Sequence, residues 1–369
     1  MIQRGSPPAL LSDLLDEGVS RRRFLARTAA ASAALTAACQ PAGQEAQRSE
    51  QMADTALARR SFNSSSRQDT LLDLDHEAVS DSMSAASAAP YSRYDPTLPP
   101  LSPERTLRVS WRARELPLRI DPNVVVAAWT FEGNIPGPIV HVRQGDTVEF
   151  TLTNEGDVPH SMDFHAAQIN PKAAFRSVPK GQSVTFSFQP RYAGAFMYHC
   201  GTAPVLMHIG NGMYGAIIVS PAEPLPEARE FVLVQSEYYL GPARNGVLSF
   251  DFTRMMGTGS PDYVCFNGRP NQYIGEPIRV QRGERVRFWV VAAGPQHDCR
   301  FHVVGEQFER VYVGAPPRSY IEGVQTYAVP AGGGMAFEFV ADMEGDFPIV
   351  NHGFGHGQMG AIGFLIVEP

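Results

Sequence analysis

The stretch FMYHCGTAPVLMHIGNGMYG, residues 196–215, sets a thiol, two imidazoles and several thioethers in one turn-rich segment beside apolar runs. His199 and Cys200 are neighbours. On an extended chain, adjacent side chains leave opposite faces. Two strong metal-ligating groups placed this way cannot serve the same ion. Beyond them, Cys200, His208 and Met213 follow the spacing C-x7-H-x4-M.

The same parity sorts the histidines upstream, in PHSMDFH, residues 159–165. His160 and His165 are five apart and so face opposite sides of an extended strand. His160 then groups with Cys200, and His165 with His199; Asp163 shares the parity of His165. A bulge in either segment would break this sorting. The first group, His160, Cys200, His208 and Met213, offers two imidazoles, a thiolate and a weak thioether, the donor set of a blue copper site. A buried free cysteine near satisfied core histidines is the plainer alternative, and a zinc site rarely recruits a thioether such as Met213. The second group holds only His165 and His199. A catalytic metal normally takes three protein ligands and keeps one open position, so a third ligand must come from elsewhere.

Working outward, the chain of 369 residues has room for two or three domains. A net charge of -7 argues against a nucleic-acid binder. Gly 33 and Pro 30 are high, and no long 3.6-residue period appears after residue 100, so the expected class is all-β. Runs such as TLRVSW, VVVAAWTF, SVTFSFQP and GAIIVSP alternate or cluster β-branched and aromatic residues between turns. The two halves repeat one another. IVHVRQGDTVEFTLTNEGDVPHSMDFH matches IRVQRGERVRFWVVAAGPQHDCRFH, each ending in H-x4-H: His160 and His165, then His297 and His302. AGAFMYHCG followed by GAIIV matches EGDFPIVNHGFGHGQMGAIGFLIV, which sets His352 at the repeat position of His199 and Gly353 at that of Cys200. Each half reads as one β-sandwich, residues 104–222 and 228–369. Without the cysteine the second should lack a blue site, and its His297 reads as a leftover polar residue near the surface.

Ahead of them, residues 1–39 read as an export leader. SRRRFLA, residues 20–26, fits the twin-arginine pattern, with an Ala-rich stretch at 29–38 behind it. LTAAC ends at Cys39 and resembles a lipoprotein cleavage box, although Leu35 lies one position too far from the cysteine. Cys39 is thus a candidate lipid anchor, and an exported, periplasmic or otherwise extracytoplasmic protein is expected. Residues 40–103 are rich in Ser, Ala, Gln and Asp and read as a disordered tether, with a weak helix signal at 69–79. Cys265 and Cys299 read as two buried thiols, with a disulfide in an oxidising compartment as the alternative.

At PHSMDFH, YHCGTAPVLMHIGNGMYGAI, FHVVGE and NHGFGHGQMGAIG the chain resembles the two-domain copper-containing nitrite reductases, in order and across residues 104–369. The resemblance implies two tandem cupredoxin-like Greek-key β-sandwiches and a homotrimer with two coppers per chain. It implies a type 1 copper at His160, Cys200, His208 and Met213, fed by a small redox protein such as a cytochrome c or a cupredoxin. It also implies a type 2 copper between subunits, held by His165 and His199 of one chain and His352 of its neighbour. Asp163 and His302 match the family's proton-delivering pair, and nitrite would be the substrate. An acid–base pair beside the metal makes chemical sense, because reducing nitrite to nitric oxide consumes protons.

The chain also departs from the family pattern. QINPKAAF stands where a Gly-rich stretch is usual, and Gly353, Gly355 and His356 replace the bulky aliphatic groups that usually shape the pocket after His352. Three rivals share some of these parts. A laccase-like two-domain oxidase that reduces dioxygen would need H-x-H pairs; none exists among the 10 His, and Gly201 follows Cys200 where oxidases place another histidine. A tethered blue-copper electron carrier would need neither Asp163 nor His302. A reductase of another small substrate would fit the altered loops.

Overall fold

The computed structural model describes residues 80, 82–257 and 259–369. The SRRRFLA motif, the Ala-rich stretch, Cys39, the tether up to residue 79 and the helix signal at 69–79 lie outside them.

The described residues are mostly strand and form two sandwiches. In the first, a six-stranded sheet runs in the order Leu240–Arg244, Val247–Phe250, Val124–Phe131, Thr106–Asp121, Thr147–Asn154, Ser183–Phe188. It faces a four-stranded sheet in the order Val140–Arg143, Tyr214–Ser220, Gly194–His199, Asp163–Phe164. Strand Thr147–Asn154 shows why the sequence folds this way. Val148, Phe150 and Leu152 point inward and are buried, while Thr151 and Thr153 point out and bond Thr185 and Ser183 across the sheet, each at 2.9 Å. Trp111, Phe150, Phe164 and Tyr198 pack edge-on or tilted at the centre of this core.

The second sandwich pairs a six-stranded sheet, including Arg229–Tyr238, Arg285–Gly294 and Gly334–Val340, with a five-stranded one that includes Cys299–Val303, Gly345–Asn351 and Ile362–Glu368. A further core joins the two: Met197, Tyr214 and Ile218 of the first sandwich pack with Val232, Val234 and Trp289 of the second. Cys265 and Cys299 are buried free thiols, so the disulfide alternative fails.

Two sequence expectations are corrected. Residues 82–103 are not loose tether. Met83 and Leu98 are buried, and Tyr94 donates through its hydroxyl to the Gly137 carbonyl at 2.9 Å. The amide of Leu98 bonds the Glu230 carbonyl at 3.0 Å, and that of Val232 bonds the Pro96 carbonyl at 2.7 Å. A few well-spaced apolar groups and backbone pairing to an edge suffice, although the composition looked unstructured. The boundary near residue 228 is crossed as well: Val247–Phe250 comes later in the chain, yet it extends the first sandwich's sheet, with Leu248 beside Val126.

Candidate metal centre

Strand Gly194–His199 delivers Cys200 to the top of the first sandwich, and the chain returns as strand Tyr214–Ser220. The loop between them is closed by its own backbone. The Cys200 amide donates to the Met213 carbonyl, and the Met213 amide to the His208 carbonyl, each at 3.1 Å. Helix Val205–Gly210 carries His208 inward. Gly212 makes the final bend at φ 117°, where a Cβ would stand 2.1 Å from Ile135 Cδ1. His160 arrives from the neighbouring segment, pinned by paired bonds with Val178.

The outcome is a buried convergence of donors. Cys200 Sγ lies 3.3 Å from His208 Nδ1, and His160 Nδ1 lies 3.2 Å from His208 Nδ1. Among the described residues, His160, Cys200 and His208 are the group of His, Cys, Asp or Glu whose ligand atoms all fall within 4.8 Å of one another. Met213 is buried on the same loop. Burial alone would push the Cys200 thiol up, but hydrogen bonds from His160 and His208, and their charge, outweigh it and hold the thiol well below its ordinary range. Cys299, buried without such partners, is pushed up. A thiolate, an imidazole and a thioether on one loop, with a second imidazole from the neighbouring segment, fit a copper ion.

Three supporting groups escaped the sequence reading. Glu115 accepts from the amides of Asp157 and Val158, at 2.9 and 3.0 Å, and lies 3.2 Å from His160 Nε2. It thereby orients a ligand from behind. The Ser161 amide donates to Cys200 Sγ at 3.3 Å. The Trp129 ring packs against both imidazoles, with centroids 5.5 Å from His160 and 4.8 Å from His208. Glu115 sits mid-strand with no local motif, and only the sheet brings it to His160.

On the other side of the Cys200 backbone, His199 meets His165. Their Nε2 atoms are 3.0 Å apart and their rings are set at 85°. Each Nδ1 is already used: His165 on the Gly332 carbonyl at 3.0 Å, His199 on the Cys200 carbonyl at 2.9 Å. A carbonyl only accepts, so both Nδ1 atoms carry hydrogen, and in the neutral rings that ligate metals both Nε2 atoms present lone pairs to each other. Facing lone pairs at this distance call for a cation between them, so this pair also fits a metal. Burial and the charge of His199 lower the His165 pKa, which favours the neutral, ligating form. Asp163 pairs directly across from His199 and so shares its face. His141, outside both groups, is satisfied by the Pro99 carbonyl at 2.6 Å and Ser220 Oγ at 2.8 Å.

His302 and His352 stack on the second sandwich with centroids 5.1 Å apart. His302 Nδ1 donates to the Gln325 carbonyl at 2.5 Å, which leaves Nε2 as the ring nitrogen not engaged there. Among the described residues, no group of three ligands within one chain joins this pair to His165 and His199.

Strand register corrects how the halves match. Val350 pairs with Ile362 as His199 pairs with Tyr214, and the Asn351 amide bonds the Ala361 carbonyl as Cys200 bonds Met213. Asn351, not Gly353, therefore stands at the cysteine's place, and His352 lies two positions beyond that of His199. His302 opposes Val350 as Asp163 opposes His199, so the two acid–base candidates are equivalent in space. The H-x4-H alignment misled because Cys299–Val303 is a full strand, whereas Asp163–Phe164 is only two residues long. His297 lies near the surface, as expected, but is not a leftover group: its Nδ1 lies 3.0 Å from the buried Glu237 carboxylate.

A multicopper oxidase family model matches residues 113–224, the first sandwich with its buried trio. Fold and site together define a copper-dependent oxidoreductase built of cupredoxin-type sandwiches. Over 271 residues the chain is 40% identical to the copper-containing nitrite reductase of Neisseria gonorrhoeae, covering 71% of this chain and 68% of that protein. In structure it resembles the copper nitrite reductase of Nitrosomonas europaea, with a TM-score of 0.66 and 36% identity over 71% of this chain and 94% of that one. It also resembles a multicopper oxidase, with a TM-score of 0.63 and 26% identity over 71% and 89% of the two chains. The chain belongs to the copper-containing nitrite reductase family and is an enzyme, an oxidoreductase.

Proposed function

We propose that this protein reduces nitrite to nitric oxide and water, taking up one electron and two protons per turnover. His160, Cys200, His208 and Met213 hold the electron-accepting centre. His165 and His199, with His352 from a second copy of the chain, hold the centre where nitrite binds. Copper bound at the two sites supplies one-electron redox chemistry. The observation that carries the reading is the His199–Cys200 step: one residue ends in the buried trio, and the next faces His165 with its Nε2 at 3.0 Å. A single peptide link thus connects the two donor sets.

The remaining work falls to the protein's own groups. Asp163, on the face of His199, holds a proton against a nitrite oxygen. His302, its Nδ1 committed to Gln325, passes a second proton through Nε2. Each chain carries the two halves of the catalytic centre on different sandwiches, which supports a homotrimer that joins His165 and His199 of one copy to His352 of the next. Exposed Val205, on the helix of His208, marks the face where a small redox protein such as a cytochrome c or cupredoxin docks. Residues 1–39 direct twin-arginine export to the periplasm, and Cys39 anchors the chain to lipid.

Copper content and a nitrite assay test the reading together. Two coppers per chain and nitric oxide release with a reduced donor are expected. One copper per chain, or four with dioxygen consumed in place of nitrite, would overturn it.

A further inference from the structure

Two neighbouring imidazoles of the second sandwich are not used by this reaction. His297 and His356 stand with ring centroids 4.8 Å apart and planes at 65°. The two pairs already assigned have closely similar settings: 5.2 Å and 85° for His160 and His208, 5.0 Å and 85° for His165 and His199. The backbone repeats too. The Ala361 amide bonds the His356 carbonyl at 3.1 Å, as Met213 bonds His208, and Gly360 bends at φ 118° as Gly212 does at 117°. His356 thus occupies the His208 position of the second loop.

Behind His297 lies Glu237, a carboxylate without exposed side-chain surface. It accepts from the His297 amide at 2.7 Å and from the Tyr239 hydroxyl at 2.8 Å, and lies 3.0 Å from His297 Nδ1. A carboxylate that takes Nδ1–H fixes the tautomer in which Nε2 is bare; ligating histidines are held this way. Glu115 serves His160 from the other ring nitrogen.

We propose that His297 and His356 form a third metal site, in the second sandwich, which takes one divalent ion of the Zn²⁺ or Cu²⁺ kind. Glu237 is its positioning residue, and water completes the coordination. The site is not blue, because Asn351 stands where Cys200 would and Ala361 where Met213 would. Asn351 is a frame rather than a ligand: its Oδ1 accepts from the Gly353 amide at 3.0 Å, and its Nδ2, which lies 3.3 Å from His356 Nδ1, has the Gln235 Oε1 at 2.5 Å and the Asp298 carbonyl at 3.4 Å as acceptors for its two hydrogens. Burial first, then the charges of His297 and Arg300, lower the His356 pKa and keep its imidazole neutral, as a ligand must be.

The test uses the full chain with copper loaded first, then titrated with Zn²⁺ by calorimetry and analysed for metal after dialysis. One further equivalent of zinc is expected. His297→Gln and His356→Gln should each remove it while leaving the blue absorption and the unfolding temperature near wild type. Glu237→Gln should keep the stoichiometry and weaken affinity about 10–100-fold. A parallel arm with excess Cu²⁺ should show one extra non-blue resonance, lost in the same variants. No zinc beyond the copper, or equal zinc in the wild type and the doubly substituted protein, would overturn the site. Nitrite turnover in the same samples keeps this outcome separate from the fate of the proposed reaction.

Discussion

The loops at residues 200–213 and 351–361 are one backbone frame used twice. Both close with an amide-to-carbonyl bond from the strand end, both fold a short helix, and both turn on a glycine near φ 117°. They differ in what hangs on the frame. The first offers thiol, imidazole and thioether; the second offers amide, imidazole and methyl. Electronic character therefore resides in a few side chains, while the frame sets where they converge. A thiolate gives strong covalency to copper and an amide gives none.

The largest expected effect breaks the first loop. Cys200→Ala should abolish the intense visible absorption of copper-loaded protein and leave a non-blue copper at His165 and His199. A strong thiolate band that survived would refute the assignment of the trio. The converse substitution sharpens the comparison: in that background, Asn351→Cys with Ala361→Met should restore thiolate-to-copper absorption from the second loop, read by optical titration with Cu²⁺. A colourless product that binds copper would show that the frame alone does not set the geometry.

Next in size is the proposed acid–base pair, Asp163 and His302, whose members occupy matching positions in the two sandwiches. His302→Ala should spare both coppers and lower nitrite turnover by about 10²-fold. Turnover at the wild-type rate would remove His302 from proton delivery.

The smallest effect concerns the shared bend. Gly212→Ala meets chiefly the flexible end of Ile135, whereas Gly360→Ala meets Pro270 Cβ at 2.5 Å and Cα at 2.9 Å, which cannot yield. Urea unfolding should show a loss of about 2 kcal/mol for the first and about 3 kcal/mol or more for the second. Equal losses would mean that backbone strain alone, not the neighbours, sets the cost.

Much of the site was legible because it rests on local facts. Adjacency of His199 and Cys200 puts their side chains on opposite faces of an extended chain, and C-x7-H-x4-M fits a single loop. The all-β class followed from two-residue alternation such as that of Val148, Phe150 and Leu152. The matching of the halves was less legible: similar strings suggested Gly353 and His352 as counterparts of Cys200 and His199, and strand register moved both. Composition made residues 82–103 look loose, because a handful of anchors such as Met83, Tyr94 and Leu98 barely register in an average.

By itself, then, the sequence determined the chemical identity of the donors, their pairing by parity and the β character of the chain, because these depend on residue type and near-neighbour geometry. Only the tertiary structure decided that Glu115 backs His160, that Glu237 backs His297, that Asp163 and His302 are counterparts, and that His165 faces His199 with bare nitrogens. Those relations join residues far apart in the chain, and they are set by sheet register and packing, which no short window of sequence contains.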